Sequence, residues 1–141
     1  MSRAITIAAS AAVFVVVLAG CGGSKKSEKG ESEGTKTTIA GLSASDHGSK
    51  HVSGKAEVEL DDFYFDPTVL KGKPGSKVTL ELKNEGKVKH NFDLDAQNID
   101  QDIDPGKSAT VTVTIPKSGQ LSFYCKYHKN MGMAGALAAS R

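Results

Sequence analysis

From Lys55 to the C-terminus, apolar and polar residues alternate with a period of two, the spacing of strands that bury one face. Val58 and Leu60 are interleaved with Glu57 and Glu59, and Val78, Leu80 and Leu82 with Lys77, Thr79, Glu81 and Lys83. Val111, Val113 and Ile115 alternate with Thr110, Thr112 and Thr114. His90, Phe92 and Leu94 share one parity, as do Leu121, Phe123 and Cys125, which aims His90 and Cys125 at the interior. Turn chemistry separates these runs at Asp66-Pro67, Lys73-Pro74-Gly75, Asn84-Glu85-Gly86, Asp104-Pro105-Gly106 and Lys117-Ser118-Gly119. No segment of this region carries a helical period. The pattern predicts an all-β domain, an antiparallel β-sandwich of seven to eight strands over residues 55–141.

Before Lys55 the pattern stops. Residues 22–54 are mostly Gly, Ser, Lys, Glu and Thr and offer little apolar surface to offset the entropy of ordering. They are expected to form a flexible tether with a root-mean-square span of roughly 30 Å. His47 and His51 lie within it, as bystanders or as accessory metal ligands. Upstream, Met1-Ser2-Arg3 gives a basic start, residues 4–19 form an apolar or small-residue run, and Leu18-Ala19-Gly20-Cys21 closes it. That run is shorter than the ~20 residues needed to span a bilayer, and it has the organisation of a secretion signal. Its closing tetrad resembles the lipobox of bacterial lipoproteins, where the cysteine thiol is lipidated and becomes the mature N-terminus. Residues 1–20 are thus expected to be a signal peptide, and residues 21–54 a lipidated Cys21 with its tether. The domain would stand outside the cytoplasm, anchored on the outer face of a cell membrane or in the periplasm. Because one acyl chain anchors only marginally, two or more are expected on Cys21.

The chain has two cysteines, so lipidation of Cys21 leaves Cys125 without an intramolecular partner. A lone thiol in an exported protein points to a metal ligand, an intermolecular bridge or a reactive group. Charge adds an exclusion: residues 55–141 hold 12 Lys plus Arg against 12 Asp plus Glu, and no basic stripe of the kind nucleic acids require.

Cys125-Lys126-Tyr127-His128, followed by Met131 and Met133, places a thiolate, an imidazole and two thioethers on one loop leaving a strand. Soft sulfur with borderline nitrogen suits copper in both oxidation states, and His90 on another strand completes a His-His-Cys set with a methionine as a long axial ligand. Lys89-His90-Asn91-Phe92, Phe123-Tyr124-Cys125-Lys126-Tyr127-His128 and Met133-Ala134-Gly135-Ala136-Leu137 resemble the copper motifs of plastocyanins, pseudoazurins and halocyanins. The resemblance covers residues 55–141 and implies a Greek-key, cupredoxin-like sandwich with one type 1, blue copper ion. Met131 has the shorter spacing of amicyanin-like loops and Met133 the longer spacing of plastocyanin-like ones. The Ala134-Gly135-Ala136-Leu137 that follows matches the family pattern and favours Met133, with Met131 as the alternative axial ligand. Asn91, by the same resemblance, ties the two ligand segments together. Lys126-Tyr127 departs from the proline-containing pair common in plastocyanins, which bears on loop shape and not on ligand spacing.

The expected function is one-electron transfer between protein redox partners by a monomeric carrier that is not an enzyme, since four protein donors leave no position for substrate. A copper-binding module for trafficking, delivery or tolerance is the alternative. Lys87, Lys89, Lys126 and Lys129 near the ligands would either steer acidic partners or serve only solubility. The run Asp93, Asp95, Asp100, Asp102 and Asp104 has the alternation of a solvated strand face and not the spacing of a calcium loop.

Overall fold

The computed structural model describes residues 34–141; the expected signal, Cys21 and the first part of the tether lie outside the described residues. Twelve strands are present among them: β1 Thr35–Ile39, β2 Leu42–Asp46, β3 Ser49–His51, β4 Gly54–Asp61, β5 Tyr64–Asp66, β6 Val69–Gly72, β7 Lys77–Asn84, β8 His90–Leu94, β9 Ile99–Ile103, β10 Ser108–Thr114, β11 Gln120–Tyr124 and β12 Ala134–Ala139. Single 3-10 turns occupy Asp95–Gln97 and Lys129–Met131.

A four-stranded sheet in the order β10-β7-β4-β5 faces a six-stranded sheet in the order β3-β6-β12-β11-β8-β9. The alternation predicted the faces correctly. Val58, Leu60, Val78, Leu80, Leu82 and Val113 from the first sheet meet Leu70, Phe92, Leu94, Ile103, Phe123 and Leu137 from the second in one core. Phe65, Phe92 and Phe123 are fully buried, and their rings cross with centroids 4.8–6.1 Å apart. Burial of each such side chain contributes about 1.5–3 kcal/mol, and ring pairing about 0.5–1.5 kcal/mol more. Alternation carries no information on strand direction, and the structure supplies it: the β3–β6, β6–β12 and β4–β7 ladders run parallel and the rest antiparallel. Gly75, Gly106 and Gly119, at three of the expected turns, have φ of 74°, 71° and 67°, where a side chain would be strained.

The ordered fold begins earlier than Lys55, which corrects the expectation of a tether through residue 54. β1 and β2 form a hairpin of their own, closed by Ala40 and Gly41 at φ 48° and 81°, the positive pair of a tight two-residue turn. The hairpin brings little apolar surface but borrows more: Ile39 and Ala44 pack against Ala134, Ala136 and Ala138 on the outer face of β12. This explains the alanine-rich sequence of β12, which is buried on both faces. β3 then pairs with β6, at the edge of the six-stranded sheet. His47 is a packing residue here, its ring stacked on Tyr64 at 3.5 Å and its backbone N–H donating to Thr68 Oγ1 at 2.7 Å. His51 is exposed on β3.

Candidate metal centre

His90 opens β8, and Cys125 is the first residue after β11. The loop from Cys125 to Met133 joins β11 to β12, and its mouth is closed by the Cys125 N–H donating to Met133 O at 3.0 Å. Within it the chain turns tightly: His128 N–H donates to Cys125 O, Met131 N–H to His128 O, and Gly132, at φ 89°, to Lys129 O. This winding returns His128 over Cys125. The donor atoms of His90, Cys125 and His128 all lie within 4.8 Å of one another. His90 Nδ1 is 3.2 Å from His128 Nδ1, which is 3.4 Å from Cys125 Sγ. His90 and Cys125 are fully buried, and His128 is half-buried.

The two methionines part company. Met133 is fully buried beside Cys125 in the core cluster, whereas Met131 is 50% exposed on the outside of the loop. Phe63 closes another side, its ring centroid 4.5 Å from that of His128 and 6.1 Å from that of His90. One thiol and two imidazole nitrogens within 4.8 Å of one another, largely buried, make a donor set of the chemistry that copper prefers.

Electrostatics follow from the enclosure. Burial pushes the Cys125 thiol up, against backbone N–H groups of Tyr127, Asn91 and His128 that favour the thiolate. Burial lowers the basicity of His128, with His90 adding to it. Both shifts keep protons off the nitrogen and on the sulfur until a cation displaces them.

Contacts around the ligands fix their strands. Lys126 N–H donates to Asn91 Oδ1 at 3.3 Å, and Asn91 Nδ2 donates to Asp100 and Asp102 at 2.7 and 2.9 Å. Asn91 is buried, so it links the loop after Cys125 to β9 through one side chain. Two of the lysines around the site are paired with carboxylates: Lys126 Nζ sits 2.7 and 3.1 Å from Asp100 and Asp102, and Lys89 3.1 Å from Asp104. Lys129 lies over the Tyr124 ring at 4.0 Å. Asp100, Asp102 and Asp104, on and around β9, are therefore the counter-charge of Lys126 and Lys89.

Three contributors escaped the sequence reading. Asp62, in the β4–β5 turn, places Oδ1 2.8 Å from His90 Nε2, although 28 positions separate them. Lys36 and Ser45 of the hairpin grip the ligand loop: Lys36 Nζ donates to Met131 O at 3.1 Å, and Ser45 N–H to Gly132 O at 2.9 Å. Only the Thr-rich run 35–38 and the Ala40-Gly41 pair hinted at a hairpin there; nothing local marked Asp62.

The Cupredoxin-like domain family matches residues 11–139. The copper-resistant cuproprotein CopI of Pseudomonas aeruginosa is 29% identical over 136 residues, covering 60% of this chain and 75% of the relative. Among solved structures, dithionite-reduced auracyanin of Roseiflexus castenholzii superposes with a TM-score of 0.52 at 20% identity, covering 63% of this chain and 98% of the other. Auracyanin A of Chloroflexus aurantiacus, a "blue" copper protein, gives a TM-score of 0.50 at 22% identity over 64% of this chain and all of its own. These structures share the sandwich, and the family match spans nearly the entire sequence. Since the buried His-Cys-His cluster has the donors a copper ion takes, the chain belongs to the cupredoxin-like family.

Proposed function

We propose that the protein is a one-electron carrier whose single copper ion is held by His90, Cys125 and His128, with Met133 as the axial ligand. The observation that carries this reading is the convergence of one sulfur and two imidazole nitrogens within 4.8 Å in a buried site flanked by Phe63. Copper bound there supplies a reversible Cu(I)/Cu(II) couple. The chain's own work is to hold the donors rigidly through the Asn91 links and the loop hydrogen bonds, so that little moves when charge changes. His128, half-buried between Phe63 and the exposed Tyr127, gives an edge through which a protein partner exchanges the electron. We read the site as a carrier and not a catalyst, because four protein donors leave no position for substrate. The protein acts as a monomer outside the cytoplasm, held to its membrane by lipid on Cys21. Among the described residues no helix is long and apolar enough to cross a bilayer.

Reconstitution with Cu(II) tests the reading. An intense visible thiolate-to-copper absorption with a narrow hyperfine pattern is expected, lost in Cys125→Ser, together with a reversible midpoint potential. Absence of that band in the wild type would sink it. A second reading, copper handling for tolerance, is favoured by the relative's description as copper-resistant and by the exposed Met131 thioether. It predicts transfer of Cu(I) to an apoprotein, and slowing of that transfer in Met131→Leu.

A further inference from the structure

We infer that Asp62 is a positioning residue for the copper site: its carboxylate accepts a hydrogen bond from the Nε2–H of His90, leaving Nδ1 bare toward Cys125 and His128, and biases the site toward Cu(II). The inference rests on the reading of His90 as a copper ligand, but its geometry stands without the ion. His90 Nδ1 faces the other two donors and Nε2 faces Asp62 Oδ1, at 3.2 Å from His128 Nδ1 and 2.8 Å from Asp62 respectively. An ionised carboxylate only accepts, so the nitrogen opposite it must be the one that carries hydrogen. The fully buried ring therefore has one tautomer available, and it is the one with a free lone pair in the cluster.

Asp62 is itself fixed. Its second oxygen accepts from the Lys87 N–H at 3.0 Å, so each carboxylate oxygen has its own donor. Gly86 lies over the bond. A Cβ built there would overlap Asp62 Oδ1 and come within 2.6 Å of His90 Nε2, so only glycine lets carboxylate and ring meet. Gly86 is not among the positive-φ glycines, so its role is space and not backbone conformation. No other carboxylate contacts either imidazole among the described hydrogen bonds and ion pairs, which places one negative charge directly behind a ligand. A fixed anion there stabilises the more positive metal state, and hydrogen-bonded partners of metal-bound histidines tune both affinity and potential.

The prediction separates charge from geometry. In Asp62→Ala the Cu(II) affinity falls by about 10–100-fold, and Cu(I) affinity falls less. The midpoint potential accordingly rises, by 59 mV for each tenfold difference between the two losses. Asp62→Asn, nearly isosteric and safe for folding, offers one acceptor oxygen to two donors and raises the potential as well. Gly86→Ala keeps the charge but wedges a methyl into the bond, and lowers Cu(II) affinity. Proton NMR of copper-free protein gives the independent readout: a ring Nε2–H resonance of His90 protected from exchange in the wild type and lost in Asp62→Ala. Folded variants with wild-type potential and Cu(II) affinity, or a wild-type His90 without that protected proton, would overturn the role of Asp62. A wild type lacking the thiolate-to-copper band would instead defeat the carrier reading, while the copper-free resonance still decides whether Asp62 sets the tautomer.

Discussion

At the scale of single residues, the two methionines show how one loop gives the same side chain two fates. Met133 is paired across the neck of the loop with Cys125 and has no exposed surface, while Met131 closes a 3-10 turn that points its thioether outward. Leucine and methionine fill similar volumes, so Met133→Leu is expected to cost under ~1.5 kcal/mol in stability. On the proposed ligand set its effect belongs to the metal: removing a weak donor and drying the site would disfavour the higher charge, so the potential is expected to rise and the visible spectrum to shift. Met131→Leu should leave both unchanged. Voltammetry and absorption of the two variants check this, and an equal response from both would dismiss Met133 as the axial ligand. Asn91 invites a parallel argument. It is buried with three partners, and Asn91→Ala would strand the Lys126 N–H and release Asp100 and Asp102, a loss of about 1–3 kcal/mol read from denaturant midpoints.

At the scale of elements, the β1–β2 hairpin acts on a loop 95 positions away: Lys36 bonds the carbonyl of Met131 and also Ser45 Oγ at 2.6 Å. Lys36→Ala should therefore speed hydrogen exchange of the Gly132 and Met133 amides while leaving the core amides of β7 protected, since local openings follow local contacts. Uniform exchange across the domain would contradict it. β12 beneath the hairpin has no room to spare. A Cβ at Gly135 would overlap Thr68 O and meet Phe123 Cζ at 2.5 Å, so Gly135→Ala should lower the thermal midpoint through an overpacking cost of about 1–3 kcal/mol. These two elements also mark what was legible in the sequence. Strands with one buried face, such as β7 and β10, declare themselves by parity, and the proposed ligands His90 and Cys125 were legible because His90 shares the parity of Phe92 and Leu94 in β8 and Cys125 continues that of Leu121 and Phe123 in β11. β1 and β2 carry mostly polar residues and pack on a surface supplied by β12, so the local sequence gives only the faint hint of Thr35 to Thr38 and the Ala40-Gly41 pair. Asp62 is silent for the same reason. An aspartate in a turn reads as solvent-facing, and only the return of the chain at Lys87 to His90 gives it a donor on each oxygen.

At the scale of the whole molecule, balanced charge is organised and not merely even: acids on and just after β9 are set against Lys126 and Lys89 at the end that carries the candidate site. The same arrangement makes the site's frame sensitive to acid, and the signs can be worked out. Tyr127 O–H, Asn91 Nδ2 and Lys126 hold the Asp102 carboxyl down at about 2. A carboxylate depressed below its unfolded value of about 3.9 contributes stability that is complete above that value and is lost as pH falls through the folded one. Protonation between about pH 4 and 2 therefore withdraws the anchor of Tyr127 and Lys126, the two residues between Cys125 and His128. Asp102 is 38% exposed, so water screens it and the slope in this window is shallow. Asp93 supplies the opposite sign on the same sheet. Burial and the neighbouring Asp95 push its carboxyl up, so its ionised form costs stability at neutral pH and protonation relieves it. Denaturant midpoints measured at pH 6 and pH 3 should then move apart. Asp102→Asn is expected to lower stability at pH 6 and shrink the loss on acidification, whereas Asp93→Asn raises stability at pH 6. The two variants behaving alike would show that total negative charge, and not the pairing of each carboxylate, governs how the copper end responds to acid.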